Sequence, residues 1–221
     1  IETYANRLGN VVSLVKQSTG ASKVNLIGHS MGGLVVRQYI KDHPNGINKI
    51  ITIGTPNKGT QGGISYYCES ARYKDDKACV QMDWGNKFLQ ELNRDETPNP
   101  NIEYFTIGGV LRNSKTLIEG CATPGNCNDG VICTGLMQLR GTAKNYIVES
   151  TEGSLRSGIH EEIIEPSKVD SGKKAYDLIK NILRNNLPPS NAYNFDEKCL
   201  SPTEESKNAI VQNPKVVEDY K

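Results

Sequence analysis

The sequence is poor in features that mark several protein classes. It has no apolar run approaching the roughly 18 residues that a membrane-spanning helix needs. Its charges nearly cancel: 26 Lys and Arg against 25 Asp and Glu leave a net charge of +1. That balance removes any electrostatic case for nucleic acid or an anionic membrane as partner. Histidine is scarce, with three residues, and the cysteines form no C-x-x-C pair. A zinc site is therefore not supported. No Asn-x-Ser/Thr acceptor for N-glycans occurs. The first residue is Ile1, and no basic segment followed by an apolar stretch reads as a signal peptide. The chain reads as processed, truncated or a fragment.

What is present suits one ordinary domain. A length of 221 residues is enough for a sizeable core. Six cysteines, Cys68, Cys79, Cys121, Cys127, Cys133 and Cys199, stand among loop-like neighbours. An even count in such surroundings points to disulfides and an extracellular setting; the competing reading is free thiols in a cytosolic enzyme. Cys68 and Cys79 flank a polar segment that a bridge between them would close, while Cys121, Cys127 and Cys133 crowd one loop. Spacing does not choose among the pairings.

Apolar periodicity outlines an alternating pattern. Residues 2–17 predict an amphipathic helix with Tyr4, Leu8, Val11, Val12 and Val15 on its apolar face, Leu14 at the edge and Gly20 as the stop. Strands are predicted over 23–28, 49–54, 102–107 and 145–148, and helices over 34–43 and 175–187. Ile50-Ile51-Thr52-Ile53 is β-branched throughout, as a parallel strand buried on both faces should be. Strands alternating with helices predict a parallel sheet covered on both sides. Residues 57–83 break the pattern: they are polar, rich in Gly, Lys and Asp, and followed by a helical apolar pattern at Trp84, Phe88, Leu89 and Leu92. A long excursion between two strands is where a lid or substrate cap sits, here over about residues 57–100. Residues 188–221 begin with two prolines and stay polar, as a tail or linker does.

The most specific local signal is Gly28-His29-Ser30-Met31-Gly32. A strand pattern runs into it and a helical pattern leaves it, which is the context a G-x-S-x-G nucleophile elbow requires. A serine hydroxyl becomes a useful nucleophile only when held out on a strained turn beside a base. The glycines are needed because a Cβ at either place would strike the adjoining strand or helix. Leu26-Ile27-Gly28-His29-Ser30-Met31-Gly32-Gly33 resembles the elbow of α/β-hydrolase-fold lipases and esterases. Ile51-Thr52-Ile53-Gly54-Thr55-Pro56-Asn57-Lys58-Gly59 resembles the next strand and turn of secreted bacterial triacylglycerol lipases. Phe88–Asn93 and Asn128–Val131 are similar to further lipase segments, and the likeness covers roughly residues 1–187.

The resemblance implies an α/β-hydrolase catalytic domain over 1–187, with Ser30 as nucleophile. In this fold the base comes last in the chain. Of the three histidines, His29 adjoins Ser30 and is expected to point away from the base position, and His43 precedes Pro44 at a helix end. His160, in a glycine-containing loop after the last strand, is left as the base. The acid is expected on the loop before that strand, where Asp129 lies in Asn128-Asp129-Gly130. Asp-Gly is also a common turn pair, and Glu119, Glu149 and Glu152 are the rival acids. The order Ser30, Asp129, His160 and the likeness of the segment to a lipase acid loop favour Asp129.

One oxyanion donor is expected from the backbone N–H of Met31. The second should come from a loop after an early strand, and the strands that precede the opening helix in the complete fold are absent from this chain. The expectation is therefore an N-terminally truncated hydrolase whose first strand leaves an open sheet edge. The leading function is a secreted serine carboxylic-ester hydrolase, a lipase or esterase working through an acyl-enzyme. Its substrate is a small ester or lipid, with transient contact to a lipid interface, and its chemistry requires no metal or cofactor. The alternatives are an acyltransferase or amidase of the same fold, or a non-catalytic hydrolase-fold binding protein.

Overall fold

The computed structural model describes residues 1–60, 76–111, 127–153, 158–168 and 170–187. Its elements are α1 (Glu2–Thr19), β1 (Val24–His29), α2 (Met31–Asp42), β2 (Ile47–Ile53), α3 (Lys77–Gln81), α4 (Lys87–Leu92), β3 (Glu103–Leu111), β4 (Lys144–Ser150) and α5 (Asp170–Leu183). Two 3₁₀ turns, Thr134–Met137 and Glu162–Ile164, flank β4 in the chain. The strands form a four-stranded sheet in the order β1-β2-β3-β4, and each neighbouring pair is parallel. Among the described residues β1 stands at one edge, as the sequence predicts.

Strand pleating sends neighbouring residues to opposite cores. Ile50 and Tyr104 join Leu26, Ile40, Val12 and Ala5, the core beneath α1 and α2. Ile51, Ile53 and Phe105 join Val148, Ala175, Leu178 and Ile182, the core beneath α5. The sheet therefore lies between two helical layers, and the α/β class predicted from alternation is observed.

α1 corrects one expectation. Its buried residues are Ala5 and Val12, while Tyr4, Val11, Leu14 and Val15 are exposed. The small residues explain the rotation. Gly9 lies so close to α2 that a Cβ there would stand 3.3 Å from the Tyr39 ring. Close helix contact selects the Ala5–Gly9–Val12 face over the bulkier stripe beside it. The helix predicted from Trp84 onward starts later, at Lys87. Gly85 has φ +83°, and Asn86 caps the helix by accepting the Phe88 N–H at 2.9 Å. Trp84 is left half exposed.

Buried polar side chains pin the turn after β2. Asn57 is fully buried; its Nδ2 donates to the Met137 carbonyl at 2.6 Å. The buried Arg37 guanidinium of α2 donates to Asn57 O and Oδ1, to Leu92 O and to Asn93 Oδ1. Lys58 pairs with Glu96, whose second oxygen accepts from the Arg140 N–H. These bonds tie the turn to α2, to the end of α4 and to the approach to β4. Residues 61–75 of the predicted lid and the tail 188–221 lie outside the described residues, as do Cys68, Cys121, Cys199 and Glu119. Cys79, Cys127 and Cys133 carry no free thiol.

Candidate active site

The site grows from the end of β1. Ser30 follows the strand directly, with its N–H bonded to the Ile53 carbonyl at 2.8 Å, and α2 begins at Met31. Its backbone sits at φ 52°, ψ −129°, a region that side chains with a Cβ rarely adopt. The sharp turn works only because the crossing backbone has room. A Cβ on Gly28 would lie 2.6 Å from Gly32 and Gly33, as expected. One on Gly32 would meet open space, so the collision expected at the second motif glycine is not found; it falls instead on Gly33, where a Cβ would lie 2.1 Å from Thr55 Oγ1. The elbow predicted from the sequence is therefore present in the backbone itself. Met31 stands at the first turn of α2, where N–H groups have no helical acceptor and the helix dipole favours developing negative charge.

Two loops at the same end of the sheet bring the other predicted residues to Ser30. His160 Nε2 lies 3.0 Å from Ser30 Oγ, and His160 Nδ1 lies 2.6 Å from Asp129 Oδ2. Asp129 is fully buried and His160 is 6 % exposed. The second Asp129 oxygen accepts the Val131 and Ile132 N–H groups at 3.0 and 2.8 Å. The Asp129 carbonyl accepts the Ile159 N–H at 2.8 Å, so acid and base loops are bonded to each other. Gly109 of β3 leaves space for the acid, since a Cβ there would be 2.8 Å from that of Asp129. Burial opposes a charge on His160, yet the Asp129 carboxylate and its hydrogen bond outweigh it, helped by Glu161. The ring is held above the ordinary histidine range.

All four predicted positions thus meet at one place, and Asp129 rather than Glu149 or Glu152 faces the ring. His43 is the exposed residue capping α2, where its ring lies tilted against that of Tyr39, 5.0 Å between centres. The expectation for His29 is wrong. Its ring centre lies 4.9 Å from that of His160, and its Nε2 is 2.7 Å from the His160 carbonyl oxygen. Adjacency to Ser30 places this side chain beside the base loop, which folds back over the elbow; local sequence carries no sign of that return. The signal that could have pointed to the acid pocket is Gly108-Gly109 inside a strand, a mark of close approach.

A separate cavity of about 230 Å³ is lined by Arg37, Lys41, Glu91, Arg94 and Tyr104, among others. It shares no residue with the Ser30 cluster, and its one deeply buried cation is engaged by the four oxygens named above. Burial lowers that guanidinium to about 10, which still leaves it charged at neutral pH.

A family profile described as α/β hydrolase fold matches residues 2–70. Over 50 residues, 23 % of this chain, the sequence is 48 % identical to a triacylglycerol lipase of Pseudarthrobacter phenanthrenivorans and equally to one of Burkholderia plantarii. The aligned parts span 16 % and 14 % of those lipases' own lengths. The mature form of Bacillus licheniformis lipase BlEst2 superposes with a TM-score of 0.54 at 20 % identity, covering 75 % of this chain and 71 % of that one. By its parallel sheet, its elbow and these likenesses, the chain is an α/β-hydrolase-fold protein similar to lipases.

Proposed function

We propose that the protein is a serine hydrolase of carboxylic esters, of lipase or esterase type, working through Ser30, His160 and Asp129. One observation carries the reading: an unbroken relay from the buried Asp129 carboxylate through His160 to the hydroxyl of a strained elbow serine. The similarity to triacylglycerol lipases supports the substrate class.

In the proposed cycle, His160 Nε2 takes the Ser30 proton as Oγ bonds to the ester carbonyl carbon. Asp129 keeps Nδ1 protonated, so Nε2 is the free base, and stabilises the imidazolium that forms. The Met31 N–H donates to the developing oxyanion. The carbon–oxygen bond to the alcohol breaks, and the alcohol leaves with the proton from His160. Water then attacks the acyl-serine, giving its proton to His160. The acid departs and Ser30 Oγ recovers the proton. An extracellular setting with disulfides belongs to the same reading, and so does brief contact with a lipid surface.

The test is labelling with a fluorophosphonate, the modified residue being located by mass spectrometry, alongside hydrolysis of a short nitrophenyl ester. Label on Ser30 that is lost in Ser30→Ala and His160→Ala supports the proposal. A folded chain that neither labels nor hydrolyses the ester overturns it.

A further inference from the structure

We propose that His29 is a positioning residue that clamps the backbone of His160 and so sets the distance between base and nucleophile. The inference rests on the hydrolase reading and adds a residue to it. A carbonyl oxygen has no proton to give, so in the 2.7 Å contact with the His160 carbonyl it is His29 Nε2 that donates. The tautomer of His29 is thereby assigned, with its proton on Nε2.

The geometry gives this bond a particular leverage. His29 is the last residue of β1 and is joined by one peptide bond to Ser30. A hydrogen bond from its ring to His160 thus ties the base loop to the nucleophile's own turn. The loop has a second anchor, the Ile159 N–H on the Asp129 carbonyl, which ties it to the acid. One anchor sets base against acid and the other sets base against nucleophile. Without the His29 bond, the base loop keeps its ties to the acid but loses its direct tie to the nucleophile's turn.

The surroundings keep His29 in the state the clamp uses. Burial is the largest influence and lowers its proton affinity. A charged His160 acts in the same direction, while the bond to the His160 carbonyl, Asp129 and Glu161 pull against it. The balance favours the neutral ring. It therefore adds no positive charge beside the imidazolium that the reaction forms on His160.

Two substitutions separate this role from simple packing. His29→Gln carries an amide N–H at about the reach of Nε2, and His29→Leu fills similar space with no donor. The expected result is a kcat about 10- to 100-fold lower for His29→Leu with KM little changed, from loss of near-attack geometry. His29→Gln should stay within about threefold of the parent, since it retains the bond. Labelling of Ser30 by fluorophosphonate should slow in parallel.

An activity-free readout is the low-field proton resonance of His160 Nδ1–H. It should shift or broaden in His29→Leu and be kept in His29→Gln. Nitrogen shifts of the parent should assign the His29 proton to Nε2. Equal losses in the Gln and Leu variants, or a Leu variant with parental kcat and resonance, would overturn the clamp. If the parent itself does not label on Ser30, the hydrolase reading falls, while the resonance and the tautomer still decide the clamp.

Discussion

Replacing Asp129 by Asn tests the relay most sharply, because both side-chain oxygens of Asp129 have defined work. Oδ1 accepts two buried backbone N–H groups, from Val131 and Ile132, and Oδ2 faces His160 Nδ1. An asparagine has one oxygen for these two places. Turning its NH₂ toward the backbone would set donor against two donors and leave both unpaired, at about 1–3 kcal/mol each. The oxygen therefore stays on the Oδ1 side and the NH₂ meets Nδ1. A donor at that point makes Nδ1 the acceptor and moves the ring proton to Nε2, directly against Ser30 Oγ. The base is then blocked in place. The expected loss in kcat is about 10⁴-fold, the size that a wrong tautomer produces in a triad of this type. Asp129→Ala leaves the Val131 and Ile132 N–H groups without an acceptor, so it should be the less stable variant by about 2 kcal/mol or more. Asparagine should accordingly give the more stable protein and no better an enzyme. Ester hydrolysis at neutral pH, with thermal unfolding of the same samples, measures both. An Asn variant that keeps more than about a tenth of the parental rate would refute the role of Asp129.

Three other outcomes follow from the same geometry. Gly158 has φ +57°, and a Cβ there would lie 2.4 Å from the Asp129 carbonyl oxygen; Gly158→Ala should push the base loop off the acid loop and lower kcat about 100-fold by steady-state assay, with KM less affected. Because Asp129 raises His160 above the ordinary histidine value of about 6.5, the acid limb of kcat/KM should lie above that value, activity rising with pH as the ring loses its proton. The linked stability has the opposite sign: the contribution of protonated His160 is complete below the unfolded-state value and fades as pH rises through the raised folded value, which pH-dependent thermal unfolding would register. Arg37→Met should cost about 3 kcal/mol, since it strips the donor from four oxygens around Asn57, Leu92 and Asn93, and thermal unfolding should fall by roughly 6–12 °C.

The sequence made the central part of this molecule readable because that part is governed by short-range rules. An apolar strand, a glycine-flanked serine and a following helix can be recognised together, and the structure has that turn at Ser30. β2 was equally plain, its β-branched run having no solvated face. Chain order, together with the likeness of Asn128-Asp129-Gly130 to a lipase acid loop, points to Asp129 and His160 over the rival glutamates, and the structure brings both to Ser30. What stayed hidden depends on contacts made across long stretches of chain. The face that α1 buries is chosen by the approach of Tyr39 to Gly9, which periodicity within α1 does not encode. His29 meets His160 across 131 positions, and Arg37 meets Leu92 across 55. α3 is a single short turn capped by Asp76, too brief for its pattern to stand out.

The backbone of Ser30 has a meaning for how such a chain can change over time. Its left-handed, otherwise unfavoured conformation costs about 1–3 kcal/mol for any residue with a Cβ, and glycine would escape most of it. Asp129 is different: its carboxylate and carbonyl also close the local turn, so turn stability alone would retain it. A descendant that abandoned chemistry would gain by drifting to glycine at position 30 while still keeping aspartate at 129. The serine is thus the more telling residue of the two, and the folding stability of Ser30→Gly relative to Ser30→Ala measures how strongly it resists that drift.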